Sequence, residues 1–510
     1  MARIAVIGAG MGAMAAAARL AVAGHRVAVY ERTDTYGGAL RRLERDGFAF
    51  DTGPGLLPLP AVYRDLFVKT GKEPLDACVD LVQVDPSSHH VFADGTRVSL
   101  PNASRAGVVS ALQEALGPTA GQRWGDFLVR AREAWDRTRR PLLEEPLWPN
   151  WRVLADREPY PAVPHKKLLR TRTAGTLAEI GAWELRDPRL VSLLGSYALE
   201  HGLDPRSTPA SAAVLPYMEH AFGTWYVRGG MRELARAVYE RCVARRVEFH
   251  FGAEVTGVLE KDGRAAGVEF TGGPSPASGV GSGGGTVAEA DHVVAGVTPA
   301  VLDRLTRGTP VRGDGEVPGR TGAASRLTVL LALRGGRPEG TPHRTVVHAE
   351  DREAELESLT GSPASLPAHP TVTVLRPDDP ALVPDGAHEA VTLTSVVPPG
   401  AGPGLDEHAQ RMITAAERAV PGLRDRLIRH EVRTPADIAE ATGAEGGAVP
   451  VPALAAAGGR LLHPSNGTRL PGLFTVGGWS HPGGGLPHAG MSGALVAGLI
   501  VEGPEFRGSQ

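Results

Sequence analysis

The sequence predicts an α/β protein. A Rossmann-like, dinucleotide-binding domain (parallel sheet plus β-meander) is joined to a discontinuous α+β domain. Three observations predict this. At the N-terminus a short apolar strand runs into a glycine turn, a helix and a second strand. A second run of alternating helix and strand patterns starts after Gly229-Gly230. The chain closes on a strand, a glycine-rich loop and an apolar helix. The 510 residues allow roughly three domain-sized units.

The elements follow in order. Residues 2 to 7 read as a buried strand, 11 to 23 as an alanine-rich helix closed by Gly24, and Arg26 to Glu31 as the second strand. Residues 47 to 52 and 88 to 99 read as extended, with a hairpin turn at Asp94-Gly95. Helical patterns cover 108 to 116, 124 to 140, 176 to 182 and 188 to 200. A helix over 231 to 245 precedes strands at 247 to 251, 255 to 259 and 266 to 270, then a Gly/Ser-rich loop at 271 to 286 and a strand at 292 to 295. Strands within 325 to 334 and 370 to 397 predict a second sheet, and 406 to 420 a helix. Residues 443 to 457 read as loop, 473 to 476 as strand and 491 to 501 as the last helix.

Composition narrows the function. Hydrophobic residues make up 42%, charged residues 22%, and the net charge is −3, so several cores are expected and nucleic acid is a poor partner. Cys78 and Cys242 are too few for a disulfide framework or a Cys-rich metal site, and read as buried free thiols of a reducing compartment. No run of about 18 apolar residues occurs. The apolar N-terminus could pass for a signal peptide, but Gly8, Gly10, Gly12 and Arg19 interrupt it. The expected location is cytoplasmic, with a peripheral membrane contact left open. The unusual figure is 65 glycines.

Some of those glycines carry chemistry. Gly8, Gly10 and Ala13 fill the G-x-G-x-x-G/A pattern between a strand and a helix. Gly8 permits the tight turn, Gly10 the approach of a pyrophosphate, and Ala13 close packing. The helix N-terminus presents unpaired N–H groups to phosphates. Glu31, at the end of the second strand, suits a ribose hydroxyl. This pattern alone leaves FAD and NAD both open.

The next motifs carry a family resemblance. Glu31, Gly37-Gly38 and Phe50-Asp51-Thr52-Gly53-Pro54 resemble bacterial-type phytoene (carotenoid) desaturases of the flavin amine oxidase superfamily. So do Phe92-Ala93-Asp94-Gly95, Gly223 through Met231, Thr434-Pro435-Ala436-Asp437, and the closing Gly472 to Gly477 and His481 to Pro487. The resemblance implies FAD, held by Gly8, Gly10, Met11, Gly12, Ala13, Glu31, Arg32, Gly37, Gly38, Arg41, Gly53, Pro54, Gly55, Val255, Gly477, Gly478, Gly485, Leu486 and Met491. It implies His481, Pro54 and Gly55 as the flavin-proximal catalytic set. Where the superfamily often has Gly-Gly-Arg, this chain has Gly37-Gly38-Ala39, which leaves Arg41, Arg42 or solvent to take the place of that arginine. Amine oxidases place a lysine near the flavin, and this chain has none beyond Lys261.

The implied domain division is 1–104, 221–310 and 455–510 for FAD, with 105–220 and 311–454 for substrate. The implied reaction removes hydride and proton from a lipophilic polyene to form a C=C bond. The alternatives are a reductive cyclase, isomerase or NAD(P)H-linked reductase, and a non-catalytic flavin binder. Glu144-Glu145 reads as a solvated loop and Asp378-Asp379-Pro380 as a turn. Five of the seven tryptophans, Trp124, Trp135, Trp148, Trp151 and Trp183, suggest a core, a tunnel or a membrane-facing surface. Arg139-Arg140 and Lys166-Lys167 suggest a solvated face or anionic-lipid contact. No metal site is expected, because His481 and His488 lack a third ligand at useful spacing.

Overall fold

A computed structural model of the chain describes residues 1–165, 170–273, 285–308, 311 and 324–508. The expected loop at 271 to 286 falls largely outside the described residues, as do Lys166 and Lys167.

Five parallel strands form the first sheet, in the order Glu248–Phe251, Arg26–Glu31, Arg3–Ile7, His292–Ala295 and Leu473–Thr475. Their near-continuous apolar runs fit a sheet covered on both faces. The helix Met11–Val22 lies on it, and Ala13 to Ala18 are almost wholly buried. Small side chains are needed there because the C-terminal helix packs directly behind. A Cβ on Gly493 would come within 2.6 Å of the Gly12 carbonyl oxygen and 2.8 Å of the Ala15 Cβ. An antiparallel meander of Ala253–Lys261, Arg264–Gly272 and Thr286–Glu289 stands beside this sheet, as the sequence predicts.

The second sheet has seven strands. Their order is Leu427–Arg433, Ser325–Arg334, His388–Val397, Val372–Leu375, Arg344–Val347, Ser88–Val91 and Arg97–Leu100. Only the pair Arg344–Val347 with Ser88–Val91 is parallel. The hairpin 88 to 100 thus pairs in this sheet, although the sequence reading groups it with the N-terminal part. Strand alternation sorts the two faces. Leu327, Val329, Leu331, Val372, Val391 and Leu393 are buried in one core with Ala409, Met412 and Ile413 of the helix Leu405–Ala416. The opposite face carries Arg326, Thr373, Thr392 and Thr394, and it bounds a cavity.

Four expectations are corrected. The last helix runs Leu486–Val501 rather than starting near 491. Pro487 sits in the first turn, where no N–H is required of it, so it is compatible with the earlier start. Glu145 is not solvated: its side chain is 16% exposed, accepts the Trp148 indole N–H at 2.9 Å and pairs with Arg140. Asp379 is more than a turn residue. Buried, it accepts the Tyr226 hydroxyl at 2.7 Å and the Gly229 N–H at 2.6 Å. Of the two thiols, Cys242 is buried and Cys78 only half-buried.

Candidate active site

The N-terminal glycines build a turn with unused space. Gly8 has φ +88° and donates its N–H to the Tyr30 carbonyl at 2.8 Å, which ties the turn to the second strand. Gly37 donates to the Ala9 carbonyl at 2.8 Å, so the double-glycine segment lies on the first turn. A Cβ at Gly10 or at Gly477 would meet nothing within 4 Å. These two open positions flank the N-terminus of the helix Met11–Val22, whose first N–H groups have no helical acceptors. A pyrophosphate-sized group fits such a cradle. Gly12 differs: its Cβ would lie 2.9 Å from the Ala489 carbonyl oxygen and 2.9 Å from the Gly477 Cα. It serves close helix packing, as does Ala13 against Gly296.

Glu31 is 8% exposed at the end of its strand. One carboxylate oxygen accepts the Ala9 N–H at 2.8 Å; the other accepts the Thr33 N–H at 2.9 Å and hydroxyl at 2.8 Å. It therefore fixes the glycine turn with both of its oxygens. Arg41 donates from Nε to the Gly38 carbonyl at 3.0 Å and from Nη2 to the Thr33 hydroxyl at 3.0 Å. Arg42 turns to the Gly229 carbonyl instead. Arg32 is exposed and donates to the Glu440 carbonyl. Val255 sits half-buried in the meander, paired with Phe270. Met491 lies inside the last helix and packs on the core formed mainly by the helices between residues 105 and 222.

Sequence reasoning missed Arg232. Its guanidinium stacks over the Tyr36 ring at 4.0 Å and donates to the Tyr36 and Leu40 carbonyls, clamping the Gly37-Gly38 segment. It also missed Asp51 as a cap. Its carboxylate accepts the Met231 N–H at 2.8 Å and the Arg232 N–H at 3.4 Å, at the start of the helix Arg232–Ala244. Burial pushes the Asp51 carboxyl up to about 6, against those two N–H bonds. The Gly-Gly-Met pattern after an Asp motif was the available signal.

A cavity of about 240 Å³ joins these parts to the second sheet. Gly53, Pro54, Gly55, Gly484, Gly485 and Pro487 form one wall, and the Thr373/Thr394 face of the sheet forms another. Gly485, at φ +105°, caps the last helix, whose start is held by the Tyr63 hydroxyl donating to the Leu486 carbonyl at 2.9 Å. His488 lines this cavity and is kept neutral by burial, its pKa pushed down to about 3. His481 does not line it. That ring donates from Nε2 to the Glu145 carbonyl at 2.9 Å, and burial lowers it to about 4. Gly478 packs toward Pro450, and a Cβ there would come within 2.7 Å of it. None of the five clustered tryptophans lines the cavity. Trp124 and Trp135 are core, and Trp183 lies under the Arg172 guanidinium at 4.1 Å.

Beyond the glycines the wall is largely apolar, with Leu56, Leu199, Leu215, Met218 and Leu375, but one part of it is charged. Arg344, 6% exposed, donates from Nη2 to both Glu219 carboxylate oxygens at 2.6 Å. Tyr197 adds a hydroxyl donor to Glu219 at 3.3 Å. Among the described residues no cluster of three or more His, Cys, Asp or Glu could hold a metal, and no helix is long and apolar enough to cross a membrane.

Comparisons with known proteins agree over the whole chain. The 4,4'-diapolycopene oxygenase of Methylomonas sp is 29% identical across 98% of both chains. The hydroxyneurosporene desaturase of Cereibacter sphaeroides is also 29% identical, over 98% of this chain and 97% of that one. In fold, an oxidoreductase from Methanosarcina mazei superposes with a TM-score of 0.63 at 17% identity, covering 97% of this chain and 99% of that one. The family model for flavin containing amine oxidoreductase matches residues 14–501, so the chain belongs to that family and is a flavin-containing oxidoreductase.

Proposed function

We propose that the chain is an FAD-dependent desaturase that removes hydride and proton from a lipophilic polyene to form a C=C bond. The observation that carries this reading is the cavity of about 240 Å³, whose wall joins Gly53, Pro54 and Gly55 to Gly484, Gly485 and Pro487 and is otherwise largely apolar. The full-length relatives are named for carotenoid chemistry. FAD suits the residues present: Gly10 and Gly477 leave room for a pyrophosphate, and Glu31, held beside the glycine turn, would take the ribose. Gly8, Gly37, Gly38 and Arg41 would shape that cradle, with Gly53, Pro54, Gly55 and Gly485 beside the ring. When bound, FAD supplies the two-electron acceptor for hydrogen on carbon.

The chain's own residues do the rest. The segments 53 to 55 and 484 to 487 hold the polyene against the cofactor side and exclude water. Neutral His488, in the same wall, is able to accept the proton lost from the neighbouring carbon. In this proposal the parts 1–104, 221–310 and 455–510 hold the dinucleotide, and 105–220 with 311–454 hold substrate, the hairpin 88 to 100 crossing between them. The test is anaerobic: flavin-loaded protein mixed with a polyene should lose its yellow absorbance. Bleaching by NAD(P)H alone, with none by polyenes, would replace the desaturase with a reductase.

A further inference from the structure

A cavity meant for hydrocarbon alone has no use for charged side chains in its wall, because an apolar ligand seated there would strip them of water without replacing its hydrogen bonds. This cavity holds a polar group of three residues. Glu200 and His201 end the helix Pro188–Glu200, and Arg326 projects from the strand Ser325–Arg334; all three line the cavity. An acidic residue at a helix C-terminus faces the negative end of the helix dipole, so helix stability does not account for Glu200. Nor does an ion pair in contact: the Glu200 carboxylate has no hydrogen-bond partner among the described residues. Arg326 instead donates from Nη2 to the Glu200 main-chain carbonyl at 2.8 Å. The Glu200 side chain is open to the cavity; desolvation opposes its charge, yet the fields of Arg344, His201 and Arg326 outweigh that and hold the carboxyl below its usual range. Burial pushes His201 down to about 4, so its ring is neutral and offers one donor and one acceptor. Arg344, buried in the same wall, has an Nε–H with no partner.

The wall thus presents an unpaired carboxylate acceptor beside guanidinium and imidazole donors. An ammonium would satisfy Glu200 but would be repelled by Arg326 and Arg344. A carboxylate or phosphate would satisfy the arginines but would be repelled by Glu200 and Glu219. A hydroxyl donates to a carboxylate and accepts from an N–H at the same time. We propose that Glu200, with Arg326 and His201, binds a hydroxyl carried on an otherwise apolar substrate. The assignment rests on the polyene reading above and deepens it: the substrate is an oxygenated chain rather than a pure hydrocarbon. The threonines of the facing sheet, Thr373, Thr392 and Thr394, suit the same chemistry.

The test compares two polyenes of equal chain length, with and without a terminal hydroxyl, on flavin-loaded protein without oxygen. The wild type should reduce its flavin with a kcat/KM at least tenfold higher for the hydroxylated chain, mainly through KM. In Glu200→Leu that ratio should fall to near one. Glu200→Gln should fall between, because its amide oxygen still accepts. Flavin content and circular dichroism check that each variant is folded, and Arg326→Gln provides an independent second loss. Equal kcat/KM for the two polyenes in the wild type, or an unchanged ratio in Glu200→Leu, overturns the assignment. If neither polyene reduces the flavin, the desaturase reading falls, and equilibrium binding of the same pair decides this one. Tighter binding of the hydroxylated chain, lost in Glu200→Leu, supports it. Equal binding, or preference for an amine-bearing chain, overturns it.

Discussion

A side chain added at Gly10 would enter open space, whereas one at Gly12 would strike the Ala489 carbonyl and Gly477. The two glycines stand in one motif, and spacing alone cannot separate their duties. Replacing Gly10 with Val should therefore leave the fold intact while filling the cradle, and the purified protein should lack flavin even after FAD is added. Replacing Gly12 with Val should cost about 1–3 kcal/mol or more of stability through overpacking of the two helices. Urea unfolding with absorbance at 450 nm separates the outcomes; a yellow Gly10→Val protein would remove the cradle from the cofactor site. Glu31 was legible as an acid at a strand end. Its bonds to Ala9 and Thr33 were not, because they depend on how the turn folds back. Arg232 was hidden for a related reason: it reaches Tyr36 from a helix about 200 residues later in the chain.

Among the elements, those with strong period or glycine punctuation were readable, including the helix Pro188–Glu200 and the strands Arg26–Glu31 and His292–Ala295. The helices Ala61–Thr70 and Val214–Phe222 were not read, since a proline precedes one and sits within the other. Proline near a helix start is compatible with helix, and the same oversight moved the start of the last helix. The Thr434-Pro435-Ala436-Asp437 motif, noted only as a resemblance, has a local cause. The Thr434 side chain accepts from the Asp437 N–H while the Asp437 carboxylate accepts from the Thr434 N–H, a capping box on the helix Pro435–Thr442. Thr434→Ala should then lower stability by about 1 kcal/mol without changing flavin content. A loss of flavin at unchanged stability would show that the motif serves the cofactor instead.

At the scale of the molecule, the glycine-bearing ends of the chain announced the dinucleotide fold, but the cavity was illegible. Its wall is assembled from alternate residues of strands such as Val372–Leu375 and His388–Val397, and a threonine on a strand looks the same on either face. The buried histidines give this architecture a measurable signature. His90, His201, His220, His343, His348, His408, His481 and His488 are all held below the ordinary histidine range, chiefly by burial. Unfolded, each would titrate near 6.5. The native state thus binds fewer protons below that pH, and stability present above about 6.5 is lost as the pH falls. Asp51, raised to about 6, and Glu158 and Glu355, raised to about 7, act oppositely: burial makes the native state bind more protons, so their contribution declines as pH rises from about 4. Between pH 7 and pH 5 eight groups outweigh three, each worth at most about 1.4 kcal/mol per pH unit. Urea unfolding at pH 7.5 and pH 5.5 should show a clear loss of stability at the lower pH, with protons taken up on unfolding there. Stability that is unchanged or greater at pH 5.5 would mean that these imidazoles are charged in the fold, and that His488 is not the neutral proton acceptor the cavity requires.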